Sequence, residues 1–135
     1  MKAVPDTMIW VSYCTLAGGY RHRLIERARR KRVRLFVSEY ILQELSDTLT
    51  EDLGRSRRYA WLARRAVLRL ARLVKLPDSS PRHVPGDPDD DPIVQTALIA
   101  KAHYLVTADR ELLKLKKARN FEVISAQRFA ELIGD

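Results

Sequence analysis

The chain has 135 residues, enough for one domain with a sizeable core, and its 25 Lys and Arg outnumber 17 Asp and Glu to give a formal charge of +8. That balance favours polyanionic partners such as nucleic acid or an acidic protein segment. A single cysteine, Cys14, excludes an internal disulfide and a Cys-based zinc site. It fits a reducing cytoplasm, and no run reaches the roughly 18 apolar residues that a membrane span requires, so a soluble, cytoplasmic, single domain over 1–135 is expected.

Residues 2–5 read as a first strand ending at Asp6. The apolar stretch from Met8 to Ala17 mimics a secretion signal, but Pro5 and Asp6 interrupt its junction and Ser12, Tyr13 and Thr15 dilute it, so it reads as folded protein. A basic stretch from Arg21 to Arg34 leads into a second strand at 33–37. Ser38 then caps a helix whose Ile41, Leu42, Leu45 and Leu49 recur at three- and four-residue spacing, with Glu44 in its first turns. The pattern over 58–76 predicts a longer helix, with Leu62, Ala66, Val67, Leu70, Leu73 and Val74 on one face and Arg65, Arg69 and Arg72 on the other. Residues 77–88, rich in Pro, read as a surface connection.

Asp91 followed by Pro92 is a helix start, because Pro is pre-shaped for the first helical position and Asp accepts from the free amides; that helix is expected to run to about Ala102. Residues 104–107 read as a buried strand, Asp109 opens a short helix through Leu113, 121–124 form a last strand, and Ser125 caps a helix ending near Ile133 and Gly134. Strands alternating with helices predict a parallel sheet covered on both faces.

In such sheets ligands bind outside the carboxyl ends of the strands, and Asp6, Asp91 and Asp109 all fall at those junctions, with Glu44 close to another. Asp87, Asp89, Asp90 and Asp91 add a packet of charge that is costly without a cation. If these acids meet, Mg²⁺ or Mn²⁺ is the natural partner, since carboxylate and water oxygens suit hard ions. Such an ion lowers the pKa of bound water and polarises a phosphoryl oxygen, which on a basic protein points to phosphodiester hydrolysis leaving 5′-phosphate and 3′-hydroxyl ends. Each acid also has a plainer reading: Asp91 and Asp109 as helix caps, Asp6 as a turn former, Glu44 as an ordinary helix residue.

Two basic stretches hold candidate RNA contacts, Arg29 and Arg30 in the first and Arg57 and Arg58 in the second, the latter flanked by Tyr59 and Trp61. A solvated helix face explains these arginines as well. His22, His83 and His103 show no metal-ligand spacing. A phosphatase or phospho-receiver on a similar sheet is disfavoured, because Met8 stands where such phosphatases place a second Asp and the first strand lacks the paired acids of a receiver.

The order of motifs resembles the PIN-domain family: Val4-Pro5-Asp6-Thr7, then Val37-Ser38-Glu39-Tyr40-Ile41-Leu42-Gln43-Glu44, then the acidic packet ending at Asp91, then Tyr104-Leu105-Val106-Thr107-Ala108-Asp109. In particular it resembles the VapC-like toxins of bacterial and archaeal toxin–antitoxin pairs. The resemblance implies a Rossmann-like three-layer α/β/α sandwich with a central parallel sheet and an endoribonuclease dependent on Mg²⁺ or Mn²⁺. It implies catalytic and metal-holding roles for Asp6, Glu44, Asp91 and Asp109, with Asp89, Asp90, Thr7 and Thr107 as additional or supporting contributors. It also implies a homodimer silenced by a small antitoxin, whose Arg or Lys would mimic the metal's charge. The family usually has Asn two residues after the first Asp. Here Met8 stands there, so Asp6 is expected to be held less firmly or by a substitute group, and a weakened, binding-only module is the alternative reading.

Overall fold

The computed structural model describes residues 1–77, 91–118 and 120–134. In chain order the elements are β1 (Lys2–Pro5), α1 (Thr7–Thr15), α2 (Tyr20–Arg30), β2 (Arg34–Ser38), α3 (Glu39–Asp47), a π-helical turn (Thr48–Asp52), α4 (Arg57–Leu70) and β3 (Ala71–Val74). There follow α5 (Pro92–Ala100), β4 (Tyr104–Val106), α6 (Arg110–Leu113), β5 (Lys117–Ala118), β6 (Phe121–Ile124) and α7 (Ala126–Ile133).

The strands form one sheet in the order β3-β2-β1-β4-β6-β5, all parallel except the short β5, which runs antiparallel to β6. From β1 to β3 the chain steps in one direction, and right-handed crossovers put α1 to α4 on one face. It then returns past β1 to β4, which carries α5 to the other face, where it packs on β1, β2, β3 and β4. α7 comes back to the first face against α2. The result is the expected three-layer sandwich.

The core lies between the layers. Val4, Val37 and Leu105 from the central strands are fully buried, as are Ile9 and Trp10 of α1, Ile41, Leu42 and Leu45 of α3, Val94 and Ala97 of α5 and Phe129 of α7. Each large side chain among them contributes about 1.5–3 kcal/mol through burial. The apolar stretch after Asp6, read as folded protein, is a core helix, α1.

One element differs from expectation. The long helix read over 58–76 stops at Leu70, and Ala71–Val74 pairs in parallel with β2, Leu35 opposite Ala71 and Val37 opposite Leu73. An alternating run of four residues fits either period, and the open edge of β2 decides in favour of the strand. The helix buries Val67 as expected, but with Ala60 and Ala63 beside it, and leaves Leu62 47% exposed. The Pro-rich connection read over 77–88 lies, from residue 78 onward, outside the described residues.

Candidate functional site

The sheet's switch point falls between β1 and β4, whose chains leave in opposite directions, and the acids converge outside the carboxyl ends of these strands. Asp6 remains tied to the ladder, its N–H donating to the Val106 carbonyl (2.9 Å), and Thr107 does the same to Ile124 (2.9 Å). Immediately after these bonds, both chains turn into helices that need caps.

Asp6 caps α1: its Oδ1 accepts from the Ile9 N–H at 3.1 Å, and its Oδ2 accepts from the Thr107 hydroxyl. Thr107, fully buried, accepts in turn from the Asp109 N–H at 2.9 Å. One hydroxyl therefore fixes Asp6 and the turn that carries Asp109. Asp109 caps α6 through its Oδ1, which accepts from the Glu111 N–H at 2.8 Å. On the first-face side, Glu44 of α3 accepts from the Thr7 hydroxyl at 2.7 Å, so α1 and α3 are joined at their site ends. Asp91 caps α5, accepting from the Ile93 N–H at 2.8 Å, and α5 is held to β2 by a bond between Thr96 and Ser38 hydroxyls (2.8 Å), both buried.

Asp6, Glu44 and Asp109 line one cleft of about 420 Å³ together with Thr7, Met8 and Arg21, while Ile93 and Leu112 supply apolar wall. Asp91 lies at its edge, two residues before Ile93, and its charge and that of Glu44 both reach Tyr40. Burial, then these two charges and a hydrogen bond to Glu44, hold the Tyr40 phenol above its ordinary range. The structure thus gathers three of the four expected acids in one cleft and sets Asp91 beside it. Asp89 and Asp90 lie outside the described residues. Arg29, Arg30, Arg57 and Arg58 are exposed on α2 and α4, and none lines the cleft.

Burial raises the Asp6 carboxyl above its usual range, and the Asp109 charge adds to the rise, while the Thr107 hydroxyl, the Ile9 amide and the Arg21 guanidinium oppose it. Met8 offers Asp6 no hydrogen bond, and Thr107 and Ile9 occupy both of its oxygens instead. Arg21 was one of many arginines in its stretch; here Ser12 (2.9 Å) and the Met8 carbonyl (3.5 Å) hold its guanidinium at the lip of the cleft. Tyr40 and Arg21 are the site residues that sequence reasoning missed. No spacing marks them, because each belongs to a run of similar helix residues.

Among the described residues no three His, Cys, Asp or Glu side chains enclose a common point as they stand. In donor type, however, the site fits a hard divalent cation. Its described lining offers carboxylate and hydroxyl oxygens and no thiol or imidazole, and Oδ2 of Asp91 and of Asp109 accepts no hydrogen bond from a described residue. A cation there would also relieve the charge crowding that helps to raise Asp6.

A family model of the PIN domain matches residues 2–111. No curated protein and no solved structure gives a significant match. The matched span runs from β1 into α6 and contains every acid of the cleft, and on that match the chain belongs to the PIN-domain family, a nuclease-type fold.

Proposed function

We propose that the protein is an endoribonuclease that hydrolyses RNA phosphodiesters with Mg²⁺ or Mn²⁺, leaving 5′-phosphate and 3′-hydroxyl ends. The observation that carries this reading is the meeting of Asp6 and Asp109, which follow β1 and β4, with Glu44 of α3 in one cleft of a PIN domain. Asp6, Asp91 and Asp109 would hold the ion, with Glu44 completing the set and Asp89 and Asp90 near enough in sequence to add to it. When bound, the ion lowers the pKa of water and places positive charge at the phosphoryl oxygen.

The remaining work falls to the chain. Thr107 keeps Asp6 and the Asp109 turn in fixed relation, and Thr7 orients Glu44, so little reorganisation is needed on binding. Glu44, oriented by the Thr7 hydroxyl and bonded by the Tyr40 phenol, is the carboxylate suited to accept a proton from the attacking water. Arg21 presents a cation at the lip of the cleft, within reach of Asp6, where it can pair with a substrate phosphate. Arg29, Arg30, Arg57 and Arg58 extend the reading to RNA held across the exposed faces of α2 and α4.

The test is cleavage of end-labelled RNA. Mg²⁺ or Mn²⁺ is expected to support it, a chelator to stop it, and Asp6→Asn or Asp109→Asn to reduce it by at least the roughly 10- to 100-fold lost when groups merely supporting a metal are removed. Cutting that persists in both variants, or cyclic phosphate ends, would contradict the site or the mechanism.

Met8 favours a second reading, a PIN-like module that binds RNA or protein without cutting: it is 49% exposed in the cleft where the family usually has an amide. RNA binding unchanged by neutralising the acids, with no cleavage under any metal, would select it. Resemblance to toxin components supports a cytoplasmic homodimer silenced by an antitoxin. Co-purification with a small basic-tailed partner, and the mass of the isolated chain in solution, check those points.

A further inference from the structure

At the other end of the sheet lies a groove that the nuclease reading does not use. Its volume is about 470 Å³, and it is formed where β2 and β3 begin and α4 ends. Arg34, Arg69 and Arg72 stand round it, all exposed, over a floor that includes Leu35, Phe36 and Ala71, which are buried. Phe36 is the register partner of Arg72, and Arg34 precedes Phe36 by two residues, so alternation puts both arginines on the same face of adjacent strands. The last turn of α4 adds Arg69.

Among the described residues the lining contains no acidic residue. Three arginines elsewhere find carboxylates: Arg64 pairs with Glu39, Arg128 with Glu131 at 3.2 Å, and Arg29 approaches Glu26 at 3.9 Å. Among the described residues Arg34, Arg69 and Arg72 have no side-chain hydrogen bond and no ion pair. Three like charges gathered around one hollow repel one another, and an anion converts that cost into attraction. Guanidinium forks match phosphate oxygens geometrically, and several forks in a row suit a ligand whose phosphates repeat.

We propose that this groove is a second RNA-binding site, in which Arg34, Arg69 and Arg72 hold backbone phosphates of the same RNA that is cut at the acidic cleft. The proposal rests on RNA being the substrate class. Because the strands are parallel, the groove and the cleft lie at opposite ends of the sheet, about 17 Å apart along the five residues of β2 at roughly 3.3 Å each. A folded or bent RNA can span that distance, and a dinucleotide cannot. The groove would therefore select longer substrates without changing chemistry at the cleft.

The test is binding of a fluorescent single-stranded RNA of about 20 nucleotides, followed by anisotropy as KCl is raised, with a chelator present so that nothing is cut. Neutralising three phosphate contacts in the triple variant R34Q, R69Q, R72Q is expected to reduce the slope of log affinity against log salt by about 2, at about 0.7 per contact. The triple variant R34K, R69K, R72K should keep most of the slope, and K101Q, K114Q, R128Q, which removes equal charge elsewhere, should change it by less than about 0.7. If the triple Gln chain fails to fold by circular dichroism, the single variants R34Q and R72Q, each expected to lower the slope by about 0.7, take its place.

An unchanged slope in the groove variants, an equal loss in the control, or no RNA binding by the wild type would overturn the proposal. Failure of the nuclease reading looks different: a slope that falls as expected in a protein that never cleaves leaves the groove standing. Cleavage with an unchanged slope does the reverse.

Discussion

Asp6 is subject to opposing demands. It must close the first strand, cap α1 and present charge to the cleft, yet it is only 4% exposed, and burial raises its carboxyl above the usual range. A carboxyl that binds protons more tightly in the folded chain than in the unfolded one contributes stability fully below the unfolded pKa, and loses it as pH rises through the folded value. At neutral pH the burial of this carboxyl is thus a cost in the metal-free protein. Metal-free Asp6→Asn is expected to melt above wild type at pH 7, with the advantage shrinking as pH approaches the ordinary carboxylate range near 4, as followed by thermal melts across pH. A variant that melts lower than wild type at pH 7 would show that Thr107 and Ile9 already outweigh the burial. At this scale the acids were legible because a charge directly after an apolar strand is conspicuous. Arg21 and Tyr40 were not, since their positions at the cleft depend on how α2 and α3 pack, which no local pattern carries.

Among the elements, the strand ends and caps were the easiest to read: Ser38, Asp91, Asp109 and Ser125 each cap the helix expected to follow, the side chain accepting from a backbone N–H, and Asp6, read as a turn former, proves to cap α1 in the same way. The boundary between α4 and β3 was hidden because Ala71, Arg72, Leu73 and Val74 continue a helical stripe as well as they alternate. Only the vacancy beside β2 distinguishes the two. The two-residue β5 escaped for a similar reason, being too short to show any period. The family match ends at residue 111, but β6 and α7 beyond it are not appendages: β6 pairs with β4 next to the switch point, and Phe129 of α7 is fully buried in the common core. Phe129→Ala is expected to cost about 3–5 kcal/mol in urea unfolding, the loss of a large aromatic from a packed core. A cost below about 1 kcal/mol would mean that α7 is peripheral to the fold.

Across the whole molecule, an acidic cleft and a groove ringed by arginines lie at opposite ends of the sheet. Carboxylates collect where parallel strands finish, arginines ring the groove where two of them start, and the net charge of +8 makes the acidic cleft an exception on a basic body. Topology makes that separation possible, because a parallel sheet sends every β-to-α turn to the same end. The order of acidic motifs announced the fold, whereas the second basic locus required knowing that residues 34 and 72 become neighbours. The central claim concerns the cleft: Asp6, Glu44, Asp91 and Asp109 act together on one class of ion. The most direct measurement is an anomalous difference map from a crystal soaked in Mn²⁺. The expected result is a peak among the oxygens of these four side chains, absent in Asp6→Asn; a saturated crystal with no peak there, or with manganese held by other residues, would contradict it.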